Sequence, residues 1–453
     1  MIKNIDLFEK MSVPKAVAKL ATPTVLSMIV TVFYNMVDTI FVGQLGDKNQ
    51  VAAVSVATPV FLFFMAVGNI FGVGGSSFLS RALGEHKVEK AARISSFCLY
   101  GGIIAGLIGE SLMLFFMDDI LSLVGTDFDT FIFAKEYLTV IAYGGPLIVV
   151  STAFTNLLRG EGASKNAMVG MMAGTIVNII LDPFFILPSF LGMGTAGAAV
   201  ATVIGNGVSI VFFFAHAVGK KSVLSLNIKN FRISKEILFG VLVVGLPASL
   251  NNIIMSLSNI IVNRHLAAYG STPVAAMGIA MKANMLVIFV QMGLAIGVSP
   301  LIGYNFGAKN FKRMKDVMKF STACVVVLGC MLTAIYFVLS KSIINVFMDK
   351  NTPNIEDVTF YGVKMLRALM ISGPYIGIMF VFSFTFQAIG KALPSLILSI
   401  SRQGFVFLPV IIIFDKLFQL DGIIYAQPIA DAIAVFIAIG MFLIINKNLK
   451  KSV

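Results

Sequence analysis

Two acidic residues interrupt long apolar stretches of this chain. Asp38 lies within TVFYNMVDTIFVGQ, and Asp182 lies within GTIVNIILDPFFIL. A carboxylate surrounded by hydrocarbon is costly unless it faces a polar cavity, a cation or a source of protons. The two acids therefore favour a path for a small cation. The alternative is that each is a neutral or hydrogen-bonded packing residue.

Polar side chains accompany the acids at helical spacing. They are Thr24, Ser27, Thr31 and Asn35 before Asp38, Thr175 and Asn178 before Asp182, and Thr202, Asn206 and Ser209 in the next segment. At the rise of an α-helix, Asp38, Asp182 and Thr202 all lie about 9–13 Å from one end of their segments. We therefore predict that three polar stripes meet at one level, although such stripes also serve simply to bond helices together.

The predicted cluster offers oxygen ligands alone. Carboxylates, an amide and a hydroxyl suit a hard monovalent cation or a shared proton. Pro183 lacks a backbone N–H, which leaves the carbonyl near Ile179 without its helical partner and available to an ion. We predict that a hard monovalent cation or a shared proton binds at a set of four residues, which is a metal site if the ion is Na⁺. These residues are Asp38, Asn178, Asp182 and Thr202.

The composition is that of a membrane protein. Of the 453 residues, 58% are hydrophobic and only 12% are charged, whereas soluble domains carry about 25% charged residues. The length allows a dozen spans of about 20 residues joined by short loops, with no large soluble domain. The net charge of +12 is spread over those loops. We therefore predict the lipid bilayer as a partner, and no nucleic acid.

The hydrophobic pattern predicts twelve helices. Their approximate ranges are 15–44, 51–80, 93–116, 132–158, 166–188, 194–217, 237–267, 273–303, 316–348, 359–388, 392–415 and 421–446. Basic residues concentrate at the termini and in the even-numbered loops. The odd-numbered loops and the adjoining helix ends hold only Lys48, Lys135, Lys341, Lys350 and Lys416. By the positive-inside rule, the even-numbered loops and both termini are cytoplasmic, in a protein of the cell (plasma or inner) membrane. The first twenty residues are typical of a retained lead-in and not of a signal peptide.

The chain also repeats itself. Gly84 in RALGEHK matches Gly307 in GYNFGAK, and Gly145-Pro146 matches Gly373-Pro374. Each repeat spans six helices, an even number, so the halves share one orientation and are related by an axis along the membrane normal. We predict an all-α polytopic fold of two six-helix bundles around a central cleft. They are an N-terminal lobe (1–218) and a C-terminal lobe (237–453), joined by a cytoplasmic linker (219–236).

The second half lacks an intramembrane acid in its seventh helix, where Val262 stands at the position of Asp38. Its buried charges are predicted to be Lys282, Arg402 and Asp431. Arg402 and Asp431 lie mid-span on consecutive helices, and we favour a structural salt bridge between them over a role in ion coupling.

No pattern in the chain supports an enzyme. The segment around Gly390-Lys391 lacks the upstream glycine and the Ser or Thr of a Walker motif. The three cysteines and three histidines are scattered, which disfavours a disulfide framework and a zinc site. We therefore predict no cofactor and no catalysis, so that uphill transport must be driven by an ion gradient.

Four segments carry a resemblance to a known family. MVDTIFVGQLG, RALGEHK, NLLRGEGASKNAM and VNIILDPFFI resemble the multidrug and toxic compound extrusion (MATE) family, most closely its bacterial MepA-like branch with features of the DinF-like group. The resemblance implies antiport, in which lipophilic and often cationic drugs leave in exchange for H⁺ or Na⁺. It implies an ion site at Asp38, Asn178, Asp182 and Thr202. The residues expected around that site are Pro23, Asn35, Tyr137, Asn156 and Asn206.

One departure bears on the second half. Members of the NorM type carry acids in the seventh and tenth helices, and this chain has none there, so the resemblance does not extend to an ion site in the C-terminal lobe. The main hypothesis is a functionally monomeric multidrug antiporter. The alternatives are a lipid-linked oligosaccharide flippase of the same superfamily, which should have a strongly cationic cleft, and a membrane receptor or channel.

Overall fold

The computed structural model describes residues 5–43, 47–219, 222–348 and 354–451, and all regular structure in those ranges is helical. Short helices occupy Ile5–Glu9, Met117–Leu123 and Ile228–Asn230. The long helices are Val13–Gly43, Lys48–Gly84, Val88–Phe115, Phe128–Gly160, Ser164–Ile186, Gly194–Val218, Lys235–Ala267, Ser271–Gly307, Phe311–Phe347, Ile355–Ile371, Gly373–Ala388, Ala392–Ile400 with the π-helical Ser401–Phe405, and Phe407–Lys451.

Two breaks in these helices decide the number of spans. Ile355–Ile371 and Gly373–Ala388 are bent by 49° and together form the tenth span. The bend coincides with Pro374, which cannot donate a backbone hydrogen bond. Phe407–Lys451 contains the non-helical Gln419 (φ 52°, ψ −134°), which separates the eleventh span from the twelfth. Counted at these breaks, the described residues form twelve spans, as predicted.

Most spans extend beyond their predicted ends. The second span, predicted over 51–80, runs from Lys48 to Gly84. Apolarity marks only the part of a helix that lies in hydrocarbon, whereas the helix itself continues to a capping residue. Here the Asp47 side chain accepts a hydrogen bond from the backbone of Asn49 at 2.9 Å and caps the helix.

Corresponding positions in the two halves have corresponding environments. Gly106 of the third span packs against Pro146 of the fourth, and Gly329 of the ninth packs against the backbone of Gly373 and Pro374 of the tenth. The loops that follow the second and eighth spans contain His86 (φ 58°) and Lys309 (φ 56°), a left-handed conformation in the same place. The internal repeat in the sequence is therefore a repeat in structure. The exact division into lobes at 218 and 237 stays a prediction.

We call the end of the bundle that carries the even-numbered loops the basic end, and the opposite end the acidic end. Near the basic end the two halves approach so closely that glycine is required. A Cβ at Gly74 would overlap the carbonyl of Val241, and one at Gly245 would overlap that of Ile70. Ser77 reinforces this contact by donating a hydrogen bond to the carbonyl of Gln387. The basic end is therefore closed.

The N-terminal helix Ile5–Glu9 lies against the second half at this end. The ring of Phe8 stacks on that of Tyr304 with centroids 4.7 Å apart. The Tyr304 hydroxyl donates to Glu9 Oε1 at 2.7 Å, and Arg313 Nε donates to the Phe8 carbonyl at 2.8 Å. The N-terminal segment thus ties the beginning of the chain to the eighth and ninth spans.

The described part of the predicted linker is held by the first half. The buried Glu161 carboxylate accepts hydrogen bonds from the Ser222 hydroxyl at 2.9 Å and the Val223 backbone at 2.9 Å. His216 lies 2.7 Å from the same carboxylate. Tyr100 donates to the carbonyl of Leu226 at 2.7 Å. Residues 222–226, which we call the strap, are therefore packed against the first half.

A buried ion pair joins the eleventh and twelfth spans. Arg402 Nε donates to Asp431 Oδ1 at 2.7 Å, and Gln427 donates to the same oxygen at 2.8 Å. Asp431 is 1% exposed, and Arg402 lies over the ring of Phe380 within the π-helical turn. The pairing that the sequence favoured is present. Lys282, however, is exposed and does not join this pair among the described residues, contrary to the prediction that it is buried.

Removing one partner of this pair should be far worse than replacing both. Asp431→Ala leaves the Arg402 guanidinium buried without a counter-charge, which typically costs about 3–5 kcal/mol. Arg402→Met combined with Asp431→Leu should recover most of the loss, because no charge remains to be compensated. The melting temperature of the detergent-purified protein measures both effects. A single variant that melts like wild type would contradict this account of the pair.

Tight packing at the basic end predicts a second pair of outcomes. Gly74→Ala introduces a methyl group that overlaps the Val241 carbonyl, and we expect a loss of about 1–3 kcal/mol as the halves move apart. Gly207→Ala is the control, since its Cβ would meet no atom within 4 Å. The melting temperature should fall for the first variant and not for the second. Equal melting temperatures would show that the halves are not in contact at Gly74.

Candidate functional site

Small residues bring the fifth and sixth spans together. Gly174 faces Gly205 and the hydroxyl of Ser209, leaving no room for a larger side chain at either glycine. Close approach of the two backbones places Asn178 beside Thr202, and the Asn178 amide donates to Thr202 Oγ1 across a long contact of 3.4 Å. The structure thus joins two of the four predicted ion-site residues.

Asp182 lies one helical turn beyond Asn178 on the same face of the fifth span and is fully buried. It takes part in a polar or electrostatic interaction, as does the buried Tyr137 of the fourth span. The amide oxygen of Asn178 has no hydrogen-bond partner among the described residues. An acceptor buried without a donor is costly, and it is the group that a cation or a proton donor would satisfy.

The hydroxyl groups of the polar stripe on the first span form hydrogen bonds within their own helix. Thr24 donates to the carbonyl of Leu20 at 3.0 Å, Ser27 donates to that of Pro23 at 2.9 Å, and Thr31 donates to that of Ser27 at 3.0 Å. Such back-bonding by Ser and Thr bends helices, and it surrounds Pro23, which itself removes one backbone bond. These hydroxyls therefore mark a deformable stretch of helix more than a set of ion ligands.

The outer part of the first span is described less fully. Asn35 takes part in at least one interaction, and Asp38 lies on the Val13–Gly43 helix. The side chain of Asp38, however, lies outside the described residues. The meeting of Asp38 with Asp182 therefore stays a prediction. The first span does pack against the fifth, as that meeting requires.

The remaining predicted neighbours bond within their own helices. Asn156 donates to the carbonyl of Thr152 at 3.0 Å, and Asn206 donates to the carbonyl of Thr202 at 2.9 Å. Asn206 thereby steadies the turn that presents the Thr202 hydroxyl. Asn156 lies against Gly72 of the second span, and no hydrogen bond connects it to Asn178 or Thr202 in the described part of the chain.

The chemistry of this site is that of oxygen donors. No group of three or more His, Cys, Asp or Glu side chains comes together in the ranges that the structure covers. Amide, hydroxyl and carboxylate oxygens suit a proton or a hard monovalent ion, whereas a transition metal prefers nitrogen and sulfur ligands. The site is therefore suited to binding and releasing a small cation.

Several polar residues were missed by the sequence analysis. Glu161, which holds the strap, lies in a loop that was counted only for its basic residues. Lys364 and Arg367 of the tenth span add two cations near the acidic end. The sequence alone assigns only five basic residues to that end. The spacing of three residues between Lys364 and Arg367 within a predicted apolar helix was the signal that could have revealed them.

Comparison with known proteins assigns the chain to a family. The MatE family model matches residues 23–184 and again 247–413, once in each half. The chain is 32% identical over 449 residues to the Multidrug export protein MepA of Staphylococcus saprophyticus, covering 99% of this chain and 97% of that one. It is 33% identical over 449 residues, with the same coverage, to the protein of that name in Staphylococcus aureus strain N315.

Solved structures agree with this assignment. A crystal structure of MATE in complex with MaL6 has a TM-score of 0.94 and 27% identity, with complete coverage of both chains. An outward-facing multidrug resistance MATE family transporter of the MOP superfamily has a TM-score of 0.93 and 27% identity over 99% of both chains. The chain therefore belongs to the MATE family of multidrug export transporters.

Proposed function

We propose that this protein is an antiporter of the cell membrane that exports lipophilic, often cationic compounds in exchange for inward H⁺ or Na⁺. The observation that carries the proposal is Asp182, a fully buried acid one turn from the Asn178–Thr202 contact. A carboxylate at that depth persists because an ion or proton visits it. The relatives named as multidrug export proteins support the class of substrate. The working unit is a monomer.

The orientation follows from the loop charges. Most lysine and arginine residues of the loops lie at the basic end. By the positive-inside rule, that end and both termini face the cytoplasm. The contact between the halves at Gly74 and Gly245 supports a state that is closed toward the cytoplasm, and we infer that the cleft in this state opens outward. A cation arriving from outside can then reach the level of Asp182.

Ion binding would act through the first span. A cation or proton on the carboxylates removes their negative charge, and with it the attraction for a cationic drug. The first span can respond by bending near Pro23, which removes one backbone hydrogen bond and which lies among hydroxyls that bond back to the helix carbonyls. The drug leaves outward. Release of the ion to the cytoplasm follows when the halves separate at the basic end.

The flippase alternative is not favoured. A site for a pyrophosphate-linked lipid needs a strongly cationic cleft, whereas the buried charge at the candidate site is an acid. The full-length relatives named above are multidrug export proteins.

The role of Asp182 can be tested by dye transport. Asp182→Asn keeps the shape of the side chain but removes its ability to lose a proton, so we expect uptake of a cationic dye into inverted vesicles to fall at least tenfold. Asp119→Asn, an exposed acid at the same end, is the matched control and should transport normally. If Asp182→Asn transports as well as wild type, the proposed mechanism is wrong.

The coupling ion can be identified by imposing the pH gradient and the sodium gradient separately in proteoliposomes. One of the two gradients should drive dye movement, and Thr202→Val should raise the half-saturating concentration of that ion, because one oxygen ligand is lost from the site. Ser55→Ala at an exposed position serves as a control for removing a hydroxyl. Dye movement that responds to neither gradient would exclude antiport.

A further inference from the structure

A crevice lies at the acidic end of the second half, between the ninth, tenth and twelfth spans. Its volume is about 1070 Å³. Phe337, Ile371 and Tyr425 contribute its apolar wall, and Lys341, Lys364 and Arg367 contribute three cations. The candidate ion site lies in the other half of the chain, so nothing in the proposed transport cycle uses this crevice.

Two of the three cations form no ion pair with any residue that the structure describes. Lys364 pairs with Asp421. Arg367 donates only to neutral partners, the Ser340 hydroxyl at 3.0 Å and the Phe337 carbonyl at 3.3 Å. Lys341 forms no ion pair among the described residues. Glu356 also lines the crevice, but no ion pair in the described ranges connects it to Lys341 or Arg367.

The fold does not require cations at these positions. When the two halves are aligned at their matched glycines, Lys341 corresponds to Asp118 of the first half. When they are aligned at their matched Gly-Pro pairs, Lys364 corresponds to Glu136 and Arg367 to Thr139. In the first half Asp118 is paired with Lys135 at 2.7 Å. At two of the three positions the second half thus carries a base where the first half carries an acid, at the end of the molecule where basic residues are otherwise rare.

The depth of the charges matches the level of lipid phosphates. The ninth span has 37 residues and is about 55 Å long, so it extends about 12 Å beyond each side of a 30 Å hydrocarbon core. Lys341 lies six residues from the end of this span, about 9 Å along the helix. The contact with Ser340 places the Arg367 guanidinium at the same level. The apolar wall continues from there toward the bilayer centre.

We propose that this crevice binds an anionic phospholipid of the leaflet at the acidic end. The phosphate lies between Lys341 and Arg367, where charge-assisted hydrogen bonds are available. An acyl chain follows Phe337 and Tyr425 down to Ile371. Because Ile371 ends the first segment of the bent tenth span, an occupied crevice also supports that bend.

Native mass spectrometry of the full-length protein, released from detergent after incubation with phosphatidylglycerol and phosphatidylcholine, tests the proposal. We expect wild type to retain one phosphatidylglycerol in preference to phosphatidylcholine. Lys341→Gln with Arg367→Gln should reduce this preference at least fivefold. Lys48→Gln with Lys135→Gln removes the same charge from the acidic end of the first half and should keep the preference.

Two further measurements test whether the double variant merely misfolds and whether the bound phosphate belongs to a lipid. Arg367 bonds two neighbouring groups, so Lys341→Gln alone is included and should still reduce the preference at least twofold. Inorganic phosphate at millimolar concentration should not displace the lipid. Unchanged preference in both Lys341 variants, equal loss in the control pair, or displacement by inorganic phosphate would each overturn the proposal.

Discussion

The cost of placing charge in hydrocarbon governs this structure. Every carboxylate or guanidinium within a span must be paired, hydrated or visited by an ion. The buried charges of the two halves have different environments. Arg402 and Asp431 neutralise each other between the eleventh and twelfth spans. Asp182 is buried on the fifth span, one turn from the contact between Asn178 and Thr202. A charge that is neutralised by its partner has nothing to gain from an ion, which is why the Arg402–Asp431 pair is structural.

Small residues determine where these charges can lie. The Gly174–Gly205 approach brings Asn178 to Thr202, and glycines at the basic end bring the two halves into contact. Association within a membrane depends on close packing more than on the hydrophobic effect, because lipid is as apolar as the side chains. The same residue type therefore shapes the candidate site within one half and the contact between the halves.

Much of the fold was predictable from the sequence because hydrocarbon thickness sets the length of each apolar segment. The Asn178–Thr202 contact followed from helical periodicity and depth, and the Arg402–Asp431 pair followed from the mid-span positions of the two residues on consecutive helices. Lys282 was placed wrongly because the eighth span is apolar on all sides, so its sequence does not indicate which face is buried. Lys364 and Arg367 escaped notice because an apolar segment does not show where its outer turns leave the hydrocarbon. Hydropathy alone does not give the depth of an individual residue in the membrane.

The clasp formed by the N-terminal helix has a consequence for biosynthesis. Glu9 and Tyr304 are separated by 295 positions, so their contact can form only after the eighth span has been synthesised. Phe8, which is 1% exposed, likewise gains its stacking partner Tyr304 only at that point. The contact therefore requires that both halves of the chain are in place.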